Sequence, residues 1–114
     1  PEHRSGVVLF GRSGGTWSQR EVIVEPMDAK LFSASLALRG DMLCVGAQAS
    51  HKGRGAVLLY KLEGSDSRLL RTLSLEPESG DAWFGSSVAF AGSTLVAGAR
   101  LLGDRAGAVY LLTP

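Results

Sequence analysis

A gapless internal repeat constrains this chain more than any other feature. Residues 32–61 and 84–113 align over 30 positions at a spacing of 52. Eleven pairs are identical: Phe32/Phe84, Ser35/Ser87, Ala37/Ala89, Gly40/Gly92, Leu43/Leu95, Gly46/Gly98, Ala47/Ala99, Gly55/Gly107, Ala56/Ala108, Val57/Val109 and Leu59/Leu111. Two or three would be roughly the chance level for such a composition. A partial third copy precedes them. Ser5-Gly6-Val7-Val8-Leu9-Phe10 matches Gly55-Ala56-Val57-Leu58-Leu59-Tyr60, and Val22-Ile23-Val24-Glu25-Pro26 matches Leu73-Ser74-Leu75-Glu76-Pro77. A chain that repeats itself in this way is built from stacked copies of one supersecondary unit.

Each copy reads as short strands. Apolar and small residues fall in runs of five to seven, broken by Gly, Ser and Asp, with no helical period sustained. The pattern predicts strands over 84–89, 94–99 and 107–112, a tight turn at Ala91-Gly92-Ser93 and a polar loop over 100–106. A fourth strand is expected over 69–75, stopped by Pro77. Four antiparallel strands in a repeat of about 40–50 residues is the pattern of a β-propeller blade. The expectation is an all-β chain of about two blades: a partial blade over 1–30, a complete one over 31–82 and a partial one over 83–114.

The run Phe84-Gly85-Ser86-Ser87-Val88-Ala89, then Leu95-Val96-Ala97-Gly98-Ala99, then Gly107-Ala108-Val109-Tyr110 resembles the FG-GAP repeat. That repeat builds the propellers of integrin α-subunits and of many secreted proteins. Phe84-Gly85 matches its FG element, and Gly98-Ala99 and Gly46-Ala47 match the start of GAP. Arg100 and Gln48 replace the Pro, and Phe32-Ser33 stands where Phe-Gly is expected. Gly14-Gly15-Thr16-Trp17 resembles the bacterial subclass. The structural signature is therefore Phe32, Gly40, Gly46, Ala47, Gly55, Phe84, Gly85, Gly92, Gly98, Ala99 and Gly107. The resemblance implies a ring of six or seven blades and an extracellular, cell-surface or periplasmic setting. Seven such repeats need roughly 360 residues, so the 114 residues here are expected to be part of a larger ring or to assemble into one. Pro1 leads the chain with no signal-peptide pattern behind it, so the expectation is that the native start has been removed or that this is an excised segment.

Composition narrows the partners. Twelve Lys+Arg against eleven Asp+Glu give a net charge of +1, so nothing electrostatic points to nucleic acid. No apolar run approaches the length of a membrane-spanning helix. One cysteine, Cys44, permits no internal disulfide and no Cys-based zinc site.

Several motifs need weighing. FG-GAP blades often carry a DxDxDG calcium loop before the second strand. Here that connection is Leu38-Arg39-Gly40-Asp41-Met42 or Ala91-Gly92-Ser93-Thr94, with one carboxylate at most, so neither metal nor cofactor is expected. Arg39-Gly40-Asp41 spells a tripeptide that integrins bind, but Gly40-Asp41 fills the same hairpin slot as Gly92-Ser93. Gly11-Arg12-Ser13-Gly14-Gly15 fits G-x-S-x-G, yet it is expected in a hairpin loop with no helix behind it. His3 and His51 lack partners at ligand spacing, Glu76 and Glu78 read as solvated, and Cys44 reads as a buried small hydrophobe. Trp17 and Trp83 are assigned to packing between blades.

No catalytic residue is assigned, and the expectation is a non-enzymatic interaction or structural module. Its partners are a protein, further blades or further copies of the chain, and its ligand-binding residues are not identified. The basic loops over 48–54 and 100–105 are the candidate binding surface. Two other readings stay open: an accessory domain of a larger enzyme, and an excised or engineered fragment that assembles into a ring.

Overall fold

The structure, a computed structural model, describes residues 6–26, 32–50, 53–64, 66–75, 82–100 and 107–113, without the side chains of 33 and 34. They form nine strands: β1 (Gly6–Ser13), β2 (Thr16–Val24), β3 (Phe32–Arg39), β4 (Met42–Ala47), β5 (Ala56–Glu63), β6 (Asp66–Leu73), β7 (Phe84–Ala91), β8 (Thr94–Ala99) and β9 (Ala108–Leu112). No helix occurs among the described residues, so none is long and apolar enough to cross a membrane. Within the three sheets, ordered β1-β2, β3-β4-β5-β6 and β7-β8-β9, neighbouring strands pair as antiparallel meanders. This is the all-β, blade-like architecture that the repeat predicts.

The sheets stack face to face around two cores. The first joins Val7 and Ile23 to Phe32, Leu43, Val45, Ala47, Ala56, Leu58 and Tyr60. The second joins Cys44, Val57 and Leu59 to Ala82, Phe84, Leu95, Ala97 and Ala99. Successive residues of a strand face opposite ways, so β4 and β5 send alternate side chains into each core. Leu43 to Ala47 are buried without a break. An edge-to-face ring pair sits in each core: Phe32 with Tyr60 at 6.4 Å and Phe84 with Tyr110 at 5.4 Å. The radius of gyration of 14.5 Å exceeds the roughly 13 Å of a compact chain of this length.

The 52-residue spacing is structural as well as textual. β3 and β7, and β4 and β8, begin and end 52 residues apart. Each innermost pairing also carries an irregularity at the same place, between Phe32 and Ser35 and between Phe84 and Ser87. Other expectations need correction. β6 starts at Asp66 and ends at Leu73, not 69–75, and β9 starts at Ala108. The first copy is offset by 50 through both strands. Val7 pairs with Ile23 as Val57 pairs with Leu73, and Leu9/Glu21 and Phe10/Gln19 reproduce Leu59/Arg71 and Tyr60/Leu69 across the same bulge. The string match of Val22 to Leu73 slips by one residue and would turn Ile23 out of the core, where it is buried.

Candidate interaction surface

A meander sends alternate connections to opposite ends of the sheets. One end carries the short turns at Gly14-Gly15, Gly40-Asp41 and Gly92-Ser93. The other carries the longer connections after β4 and β8 and those between sheets. On that end the chain after β4 is pinned by its own backbone. Ser50 N–H donates to the Ala47 carbonyl (3.1 Å), Gly53 N–H to Ala49 (3.2 Å) and Gly55 N–H to Ser50 (2.8 Å). The next sheet then hangs on this loop: Trp83 N–H donates to the Gly53 carbonyl (2.8 Å) and Phe84 N–H to the Arg54 carbonyl (3.0 Å).

The Phe-Gly element explains three of the seven signature glycines. Gly55 forms a parallel bridge with Phe84, and a Cβ on Gly55 would overlap the Phe84 backbone. A Cβ on Gly46 would overlap the Gly85 carbonyl. Gly85 has φ +92°, and a Cβ there would run into the Ala56 carbonyl. The Ser35 hydroxyl donates to the Gly85 carbonyl at 2.8 Å. Thus Gly46, Gly55 and Ser35 shape a groove in the middle sheet, and Phe84-Gly85 of the next sheet fills it. Ala47 and Ala99 are buried where the sheets meet, and Phe32 begins β3 as Phe84 begins β7. Gly40 and Gly92 take φ +58° and +60° as the first residues of two-residue hairpins. Gly98 and Gly107 line the outer side of the third sheet.

That outer side is open. Val109 is 68% exposed and Leu111 72%. The first sheet is open on its own outer side, with Val8, Phe10, Trp17, Val22 and Val24 all exposed. Both faces are apolar, a composition that marks surfaces meant to be covered. The Trp83 ring lies under the Arg100 guanidinium of its own sheet at 4.4 Å. Trp17 lies on the outer face of the first sheet, 63% exposed, with Arg12 at 5.9 Å from its ring, and not between sheets.

The other motifs resolve as follows. Gly11-Arg12-Ser13 is strand, not loop, and β2 follows directly after Gly14-Gly15. Arg39-Gly40-Asp41 spans the end of β3 and its turn, where Lys61 Nζ meets the Asp41 carboxylate at 3.0 Å. That contact, first as a hydrogen bond and then as a charge, holds the Asp41 carboxyl below its usual value. Cys44 is free and buried, and burial pushes its thiol up to about 12. Among the described residues no three of His, Cys, Asp and Glu gather to hold a metal. His3, His51, Glu76 and Glu78 lie outside the described residues, as do Lys52 and Arg105 of the basic loops. Arg100 from those loops is committed to the Trp83 ring.

Sequence reasoning missed two contacts between sheets at their outer strands. The Ser67 hydroxyl donates to Glu21 Oε2 at 2.8 Å, and Arg71 Nη1 donates to the Thr113 carbonyl at 3.2 Å. These positions differ between copies, so the repeat could not announce them. The Ser35 hydroxyl was announced, since Ser87 is identical, but only the structure shows its acceptor.

Residues 76–112 match the family model of the FG-GAP repeat. The match takes in the connection entering the third sheet and all three of its strands. The middle sheet repeats that sheet at a spacing of 52, and the all-β whole fits a partial β-propeller. An FG-GAP repeat points to a structural or interaction module of the propeller kind. No curated protein matches the chain.

Proposed function

We propose that the chain is a non-enzymatic structural and protein-interaction module, a run of propeller blades that stacks with further blades or copies through its two open sheet faces. The observation that carries this is a difference at equivalent positions. Val57 and Leu59 are 0% and 1% exposed under the third sheet, whereas Val109 and Leu111, 52 residues later, are 68% and 72% exposed. The same apolar pattern is covered in one copy and bare in the next. Repeat units depend on their neighbours for much of their stability.

Sedimentation of the purified chain tests this reading. The expected result is association that grows with concentration; a well-folded species that stays at 12.0 kDa at every concentration overturns it. The absence of catalysis is a separate arm. The chain is expected to turn over no ester substrate, and esterase turnover abolished by Ser13→Ala would overturn that part.

A further inference from the structure

Among the described residues other than glycine, Trp83 alone has a left-handed backbone, at φ +58°. Two hydrogen bonds hold it there: its N–H donates to the Gly53 carbonyl at 2.8 Å, and its own carbonyl accepts from the Ser86 N–H at 3.1 Å. Glycine would meet that geometry without steric cost, whereas a bulky side chain is strained in it. Strain of this kind gathers at binding clamps, where the side chain rather than the backbone decides the residue. The Trp83 ring is half-buried, and the exposed Arg100 holds its guanidinium 4.4 Å from the ring centre. The repeat requires neither residue, since Leu31 and Gln48 stand 52 positions before them. The ion pairs among the described residues join Lys61 to Asp41 and Arg68 to Glu63, and none reaches Arg100. A strained tryptophan and an arginine without a carboxylate thus meet in one contact that the scaffold does not need.

We propose that Trp83 and Arg100 form a docking point for an acidic segment of a partner protein. A carboxylate of that segment pairs with the Arg100 guanidinium, and the adjoining chain packs on the indole. Both residues sit at the loop-bearing end of the third sheet, Trp83 directly before β7 and Arg100 directly after β8. Charge selects the partner: a guanidinium takes a carboxylate through two parallel N–H···O bonds. Contact with the ring restrains Arg100 beforehand, so less side-chain freedom is lost on binding. Tryptophan and arginine are also the residue types that most often dominate binding energy. This docking point goes beyond the stacking of sheet faces, which calls for neither residue.

The test titrates the full chain into a fluorescein-labelled, capped hexa-aspartate peptide and reads anisotropy. A capped hexa-asparagine peptide serves as the neutral control, and sodium acetate at matched carboxylate concentration as the free-anion competitor. The acidic peptide should bind saturably, the neutral one should not, and acetate should not displace the bound peptide. Arg100→Gln writes the middle sheet's residue into this slot, so the fold should tolerate it, and it should weaken binding by about tenfold or more. Trp83→Asn keeps a residue that accepts the left-handed backbone, removes the ring and should weaken binding to a similar degree. Arg20→Gln removes one exposed charge elsewhere and should change binding by less than about twofold. In a Trp17→Phe background the emission of Trp83 should shift as the peptide saturates. No binding of the acidic peptide overturns the docking point. Equal losses in Arg100→Gln and Arg20→Gln also overturn it, because diffuse charge then suffices, and so does displacement by acetate, because any free anion then suffices. Sedimentation keeps the two readings apart: a chain that associates but fails this titration overturns the docking point alone, and one that stays at 12.0 kDa but passes it supports the docking point without stacking.

Discussion

The middle and third sheets are two copies of one repeat in two environments. Along β4, Leu43, Cys44, Val45, Gly46 and Ala47 are all buried. Along β8, Leu95, Ala97 and Ala99 are buried, while Val96 and Gly98 between them are only partly covered. Backbone, register and irregularity agree between the copies, so local sequence does not set this difference. A neighbour does: the middle sheet has one on each face and the third has one. Burial at a given repeat position is therefore a property of the stack, not of the residue.

Paired substitutions break or sharpen this contrast, and the leucines give the largest effect. Leu59→Ala removes a side chain from a closed core and should cost about 2–5 kcal/mol. Leu111→Ala removes the equivalent side chain from an open face and should stay within about 0.5 kcal/mol in a monomeric sample. Urea unfolding of both variants measures the gap. Equal costs would mean that position 111 is covered in solution, which sedimentation would show as association.

The thiol comparison comes next. Cys44 and Val96 are repeat equivalents, one fully buried and one half-buried. In the native protein Cys44 should resist a thiol reagent, both because it is enclosed and because its thiol is held at about 12. Val96→Cys in a Cys44→Val background should react faster by about a hundredfold, since its reaction needs no opening of the stack. Stopped-flow labelling decides between them.

Alkali should loosen the middle sheet before the others. Burial holds Cys44 and Tyr60 up to about 12, against ordinary values of 9.0 and 10.0. The folded state thus keeps protons that the unfolded chain releases. The stability tied to these two groups is complete below about pH 9 and is lost as pH rises toward 12. The melting temperature should fall by several degrees over that window. In Cys44→Val with Tyr60→Phe the fall should be shallower, whereas an unchanged slope would place the sensitivity elsewhere.

How much of this was legible in the sequence depended on the strand. The inner strands β4 and β8 are unbroken runs of mostly apolar and small residues, and β8 came out at its true bounds, 94–99. The outer strands did not. β6 opens with Asp66, Ser67 and Arg68, and β1-β2 closes around Arg12, Ser13, Ser18, Gln19 and Arg20. These residues hold strand geometry through the hydrogen-bond ladder while facing solvent, so no apolar period marks them. The glycines were legible as a repeated set. Their cause was not, because Gly46 and Gly55 answer to Gly85 and Phe84, which lie about thirty to forty residues away in sequence. A string can show that two positions recur. It cannot show that one copy's glycine is shaped by the next copy's backbone.

The smallest effect separates the two hairpin turns. Gly40-Asp41 and Gly92-Ser93 occupy one slot, but only the first has an ion pair, Asp41 with Lys61 at 3.0 Å. Both partners are substantially exposed, and exposed pairs gain little after screening and side-chain ordering. The turn does not depend on the charge: glycine at its first position sets the hairpin, and the Asp41 backbone carbonyl accepts the Leu62 N–H at 2.7 Å whatever the side chain. Asp41→Ser, which writes the third sheet's turn into the middle one, should therefore move the melting temperature by no more than about 2 °C at neutral pH. The direction follows from the lowered carboxyl. A group whose folded value lies below its unfolded one stabilises above the ordinary 3.8 and loses that contribution as pH falls through the folded value. The wild type and Asp41→Ser should thus converge in acid and in high salt. A gap that persists under both conditions would show the turn backbone, not the ion pair, distinguishing Asp41 from Ser93.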